Sequence, residues 1–285
     1  MLRLAPCLIL LFCCACLSSS TPAPPPTLGE DASATTVMTY NVNYGIAGDQ
    51  ETIDVIASSN AELVLLQETT AEWEQALRQQ LITTYPHMHF EHCCGAGGLA
   101  VLSKHPFKVD GMLDPPDGGW FPAMAIRAKT SLGELSILQV HLRPPLSEDG
   151  GIVSGYFTTK EIREREIVHY LDELVAMSGD TPDLIAGDFN EDDGRAITWL
   201  ERKKGFRSAL PEFVSSQHTW RWQTSMGEIT QRLDHIVYDP EVLSALDAHA
   251  VEAGSSDHLP VLSSFKRTHK VHAAMERAPW SANLP

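Results

Sequence analysis

The body of this chain is poor in cysteine, in basic residues and in long apolar runs, and each shortage removes a class of protein. Of its six cysteines, Cys7, Cys13, Cys14 and Cys16 fall in the first sixteen residues, so no disulfide framework holds the rest together. Only Cys93 and Cys94 remain. Adjacent cysteines rarely meet disulfide geometry, so the pair reads as two small, half-buried thiols. The apolar run at residues 7–17 falls short of the ~20 residues that a bilayer span needs. Lys and Arg number 21 against 37 Asp and Glu, giving a net charge of −16. So acidic a surface repels polyanions at long range and argues against tight or processive nucleic-acid binding, while leaving room for a small basic cleft. No internal repeat of 20–50 residues is present. What remains is an ordinary globular composition, long enough for one large domain or two small ones.

The N-terminus explains where the cysteines went. "MLRLAPCLILLFCCACLSSS" carries one positive charge, Arg3, then the apolar run, then a Ser/Thr/Pro-rich stretch. Residues 1–16 read as a secretory signal. The "CCAC" within it resembles a bacterial lipobox with Cys16 as the lipidated residue, although Cys13 stands where Leu is usual. The expectation is an exported chain, a cell-envelope lipoprotein touching a membrane surface through its anchor; plain periplasmic or secreted export is the alternative. Residues 17–35 form a Pro/Ser/Thr-rich tether without core-forming side chains. A domain is expected over 36–266 and a weakly patterned tail over 267–285.

Within the domain, strands are expected at 37–42, "AELVLLQE", "GLAVLSK", "AMAIRAKT", "LSILQVHL", "DLIAGDFN", "HTWRW", "LDHIVY" and "LPVLSSF". Helices are expected at 51–59, 71–81, 159–177 and near 195–204, the third with Ile162, Ile167, Leu171 and Leu174 on its apolar face. Strands outnumber helices, and the helices fall between groups of strands. That pattern favours a two-sheet sandwich covered by helices over a parallel α/β fold.

Six of the apolar runs end in polar groups: "TYNVN", "LLQE", "QVHL", "AGDFN", "RLDHI" and "SSDHLP". Each end alone has an ordinary explanation, such as a turn residue or a helix cap. Converging in a sandwich, they would form one carboxylate-lined cleft, and carboxylates so gathered repel unless a cation sits among them. Oxygen ligands with few histidines favour Mg²⁺ or Mn²⁺ over zinc. In "GDFNEDD", Glu191, Asp192 and Asp193 read as solvated loop charges.

In this order these segments resemble the endonuclease/exonuclease/phosphatase superfamily, which has the deoxyribonuclease I-like fold; the likeness runs from about Thr36 to Lys266. It implies an α+β, four-layer α/β/β/α sandwich of two packed mixed β-sheets. It also implies a metal-dependent hydrolase acting on phosphoester bonds with Mg²⁺, for which Mn²⁺ can substitute. On that resemblance Glu68 and Asn41 hold the metal, and Asp257 adds a second anionic contact. Asp188 is the base that deprotonates water, and Asn190 orients that water. His258 and His141 donate to phosphoryl oxygens, and Asp234 sets the tautomer and charge of His258. Asn43 and Arg143 are further candidates for phosphate binding.

Two positions depart from the AP endonuclease branch: Asn43 stands where it has Asp, and His141 where it has Tyr. Both lean toward the deoxyribonuclease I or sphingomyelinase-like branches. Arg143, Arg163 and Arg165 either line the substrate side or are ordinary surface charges. Trp120, Trp220 and Trp222 either stack a base, touch lipid or serve the core. The partner expected is a phosphoester substrate bound by a monomer, with nucleic acid disfavoured by charge. Two alternatives stand beside this reading. One is a phospholipase C-like or sphingomyelinase-like diesterase. The other is a catalytically silent binding lipoprotein of the same fold, which predicts the loss of an essential group; Glu68, Asp188, Asn190, Asp257 and His258 are all present.

Overall fold

A computed structural model of the chain describes residues 33–146, 155, 158–225 and 227–268. The expected leader, its Cys16, most of the tether and most of the tail lie outside the described residues.

Two six-stranded sheets pack face to face. The first runs β13–β14–β1–β2–β4–β3 and the second β5–β6–β7–β8–β12–β9. In the first, β1 is Thr35–Asn41, β2 Leu63–Gln67, β3 His87–Glu91, β4 Leu99–Ser103, β13 Leu243–Ala250 and β14 Val261–Arg267. In the second, β5 is Phe107–Leu113, β6 Ala123–Thr130, β7 Gly133–His141, β8 Leu184–Asp188, β9 Arg207–Ser208 and β12 Asp234–Tyr238. A separate hairpin pairs β10, Trp220–Thr224, with β11, Gly227–Gln231. Each sheet is antiparallel except for one parallel pair, β1 with β2 and β7 with β8.

Side-chain alternation along the strands sorts the core into three layers. Val37, Leu63, Leu65, Met124, Ile137, Leu184 and Ile236 meet between the sheets. Met38, Tyr40, Val64 and Leu66 point the other way, onto α1 (Gln50–Ser58) and α2 (Ala71–Leu81). Leu138, Val140 and Ile185 point onto α3 (Lys160–Ser178) and α4 (Arg195–Trp199). Strands covered on both faces read as continuous apolar runs, which is why "LVLL" and "LIA" show no alternation. The result is helix, sheet, sheet, helix.

Three expectations need correction. The buried face of α3 carries Arg163, Glu166 and Tyr170 beside Ile167, Leu171 and Leu174, while Ile162 is only half-buried. Glu191 is buried rather than solvated: it accepts from the N–H groups of Ala196 and Ile197 at the start of α4 and pairs with Arg163 at 3.0 Å. A carboxylate is favoured there because the first N–H groups of a helix lack partners within it. Finally, Cys93 and Cys94 form a vicinal disulfide instead of two thiols. Their sulfurs pack over Gly97, where a Cβ would come within 3.2 Å of both.

Candidate active site

Strand register assembles the site. In the second sheet His141 lies opposite Asp188 across β7 and β8, and Asp188 lies opposite Asp234 across β8 and β12. Directly opposed residues share a face, so three polar groups stand in a row at one end of the sheet. In the first sheet the parallel register of β1 and β2 ends at Asn41 and Gln67, with Glu68 next in the chain. The segment leading into β14 brings in Asp257 and His258. Tight backbone makes this possible. Gly187 has φ 150°, and a Cβ there would lie 1.8 Å from the Val140 carbonyl oxygen on the neighbouring strand. Asn43, Glu68 and Asn190 have φ of 60°, 61° and 53°, three of the four non-glycine residues with positive φ among the described residues. For Glu68 that conformation costs about 1 kcal/mol.

Asp188 is 1% exposed and stands at the centre. Its Oδ1 accepts the Asn190 N–H at 2.8 Å, and its Oδ2 accepts from Asn41 Nδ2 at 3.1 Å. The Nε2 atoms of His141 and His258 face that same Oδ2 at 3.5 and 3.6 Å. Burial pushes the Asp188 pKa up to about 6; the His258 charge opposes this and Asp234 adds to it. His258 Nδ1 lies 2.9 Å from Asp234 Oδ2. Burial works against a charge on His258, but Asp234 and then Asp188 outweigh it and raise the pKa to about 10. His141, packed against the Phe121 ring at 4.4 Å between centroids, is instead lowered by burial. One imidazole is held as a cation, and the other is held neutral.

On the opposite wall, Asn41 Nδ2 also donates to Glu68 Oε1 at 2.9 Å, so this amide cross-links Glu68 and Asp188. Its oxygen accepts from Asn43 N–H at 3.1 Å. Glu68 Oε2 accepts from Tyr44 N–H, and burial raises the Glu68 pKa, with the Asn41 bond opposing. Asn43 Nδ2 donates to Asp257 Oδ1 at 3.0 Å, an anchoring contact to a carboxylate. The Asn190 amide donates to the Leu142 carbonyl at 3.0 Å.

Arg143 is not in the lining of the cleft. Its guanidinium donates to the Gly118 and Leu146 carbonyls and lies 3.5 Å over the Trp120 ring, so it braces two loops. Arg163 is buried in its ion pair with Glu191, and Arg165 is exposed on α3. Sequence reasoning did not single out Thr219 or Ser256. The Thr219 hydroxyl donates to Asp234 Oδ2 at 2.6 Å, and the Ser256 hydroxyl donates to the Asn41 carbonyl at 2.8 Å. Ser256 stood inside the "SSDH" motif; Thr219 had no signal of its own.

Two donor sets offer themselves to a divalent cation. Asp188, Asp234 and His258 bring ligand atoms within 4.8 Å of one another. In that group His258 lies between the two carboxylates, whose charges favour its protonated form. Glu68 and Asp257 line the same cleft and offer only oxygens, the donor chemistry that a hard divalent ion takes. Glu68, whose charge burial disfavours, gains most from such an ion.

The Endonuclease/Exonuclease/phosphatase family model matches residues 38–258. The chain belongs to this family. Its members are metal-dependent phosphoester hydrolases, and this protein is an enzyme of that class. No curated protein sequence matches the chain. Among solved structures, TDP2 of D. rerio complexed with single-strand DNA product is 14% identical at a TM-score of 0.63; the match covers 82% of this chain and 99% of that one. The endonuclease/exonuclease/phosphatase of Beutenbergia cavernae is 19% identical, TM-score 0.60, over 82% and 72%. The human Nocturnin catalytic domain with bound sulfate is 16% identical, TM-score 0.59, over 83% and 96%. At these identities the likeness is one of fold.

Proposed function

We propose that the family member is an exported, Mg²⁺-dependent phosphoesterase that hydrolyses a small or membrane-borne phosphodiester by in-line attack of water. The observation that carries this reading is the arrangement around Asp188: a buried carboxylate fixed by the Asn190 N–H and the Asn41 amide, with the His258 imidazolium 3.6 Å away. Asp188 takes a proton from water. His258, kept charged by Asp234, donates to an equatorial phosphoryl oxygen, and neutral His141 offers a second donor. Glu68 and Asp257 would hold the ion, which when bound neutralises charge on phosphorus and the leaving oxygen. Mg²⁺ is favoured because the donors facing the cleft from these residues are oxygens.

The net charge of −16 argues for a small substrate. A duplex-DNA enzyme gathers several phosphate contacts from Lys and Arg, and among the described residues the cleft lining contains neither. Nuclease action on single strands, suggested by the DNA product bound to TDP2, is the second reading. The test is hydrolysis of plasmid, single-stranded DNA, a phospholipid and an aryl phosphodiester with Mg²⁺ and with excess EDTA. Activity abolished by chelator, restored by Mg²⁺ and greatest on the small or lipid diester supports the reading. Full activity after dialysis into chelator sinks the metal mechanism, and DNA cleavage outpacing the rest at roughly 200 mM salt sinks the substrate assignment.

Export and anchoring at Cys16 belong to the same proposal. Among the described residues no helix is long and apolar enough to cross a membrane, so attachment would fall to the acylated leader. Cys16→Ser should move the protein from the membrane to the soluble fraction, or leave it unprocessed; unchanged membrane association would refute lipidation.

A further inference from the structure

The hairpin β10–β11 lies outside both sheets, yet it alternates as though it were covered on one face. Trp222 and Ile229 sit directly opposite one another across the hairpin, and Trp220 opposite Gln231. All four line the active-site cleft. The other face carries Arg221, Gln223, Glu228 and Thr230. Trp222 is 46% and Ile229 49% exposed. An isolated two-stranded hairpin is marginal in water, and displaying two large apolar side chains to solvent adds nothing to its stability. The cleft lining holds further apolar residues: Trp120, Phe121, Pro144, Pro145 and Leu146. The cleft encloses about 680 Å³, within the usual range for a small-molecule site.

This wall is tied to the catalytic floor. The Trp220 indole N–H donates to Asp257 Oδ2 at 3.0 Å, and Trp220 bridges His258 backbone to backbone. Arg221 N–H donates to the Asp257 carbonyl, and Leu259 N–H to that of Thr219. A group resting on the hairpin is therefore beside a phosphoester held over Asp188 and His258.

We propose that the hairpin and Trp120 form a subsite for a planar aromatic substituent of the phosphoester, with Trp222 and Ile229 as its specificity-determining residues. The proposal rests on the phosphoesterase reading above and narrows its substrate class. Among the described residues the lining has no Lys or Arg to hold a second phosphate. The tilted Trp220 and Trp222 rings, 6.2 Å between centroids, offer the faces and edges that aromatic rings prefer.

The test is calorimetric binding of phenylphosphonate, methylphosphonate and octylphosphonate, with Mg²⁺ present, to the wild-type protein, Trp222→Ala, Trp222→Phe and Ile229→Ser. Hydrolysis of bis(p-nitrophenyl) phosphate is measured alongside. Phenylphosphonate should bind about tenfold more tightly than methylphosphonate, the scale of one stacked ring. Trp222→Ala and Ile229→Ser should erode that preference and Trp222→Phe keep it, with thermal midpoints unchanged because both side chains are half in solvent. Equal affinity for phenyl and methyl probes, or a preference untouched by Trp222→Ala, overturns the subsite while leaving the phosphoesterase standing. Octylphosphonate binding more tightly than phenylphosphonate through the same two residues overturns the ring assignment in favour of an acyl chain. A protein that hydrolyses no diester with any divalent metal overturns the phosphoesterase reading, and the subsite's place in catalysis falls with it.

Discussion

The 2.9 Å contact between His258 Nδ1 and Asp234 Oδ2 decides the charge of an imidazole that burial alone would neutralise. With its pKa near 10, His258 is protonated throughout the neutral range, while Asp188, near 6, is ionised above that value. In the proposed mechanism the working form holds a deprotonated base and a protonated donor, and kcat/KM should fall as pH drops below about 6 and again as it rises toward about 10. Asp234→Asn removes the larger of the two attractions on the imidazolium. The alkaline limb should then move down by more than one pH unit, toward the ordinary histidine range. An alkaline limb that stays in place in this variant would show that Asp234 does not hold the charge on His258.

Asp188→Asn keeps the shape of the side chain and removes the proposed base. Turnover should drop by about 10²–10⁴. The thermal midpoint should hold or rise, since burial disfavours the charge that is removed. Turnover near wild type, or an unfolded variant, would remove Asp188 from the role of base.

His235 is fully buried on the far side of β12, between the Ser208 hydroxyl and the Glu191 carbonyl. Burial lowers its pKa to about 4. Between about 6.5 and 4 the unfolded chain takes up a proton that the folded chain refuses, so stability is lost as pH falls through that window. The loss approaches about 3 kcal/mol at its acid end. Urea unfolding of wild type and His235→Gln at pH 7 and 4.5 tests this: the variant should show the flatter dependence, and equal slopes would refute it.

Gly187→Ala should cost about 2–5 kcal/mol, because the added Cβ meets the Val140 carbonyl at 1.8 Å in a conformation that L residues avoid. Gly205 also has positive φ, 80°, but faces open space; Gly205→Ala should cost about 1 kcal/mol. Denaturant midpoints that rank the two the other way would contradict the close approach of β7 and β8.

The strands that carry the site were legible because each buried run stops at a polar residue: "LLQE", "QVHL", "GDFN" and "LDHI" mark β2, β7, β8 and β12. Five strands were not expected from the sequence: β3, β5, β11, β13 and β9, the last only two residues long. All of β3 is half-buried and holds two histidines. The alternation of β5 is broken by a bulge between Val109 and Gly111, and that of β13 by one between Ala245 and Asp247. β11 is exposed at almost every residue, so its partner β10 looked like a lone strand and the cleft wall they form together went unseen. Long-range pairs explain the rest. Nothing near Glu191 in sequence announces Arg163, and nothing near Arg143 announces the Gly118 carbonyl and the Trp120 ring that occupy it.

Asp257 and His258 come just before β14, and β14 lies between β13 and β1, pairing the start of the domain with its end. A chain made from its N-terminus thus carries Asn41, Glu68, His141, Asp188 and Asp234 long before the imidazolium and the last carboxylate exist. A chain that stops before Asp257 lacks both groups and leaves β1 without one neighbour. The two ends of the domain must therefore meet, β14 against β1, before the candidate site is complete.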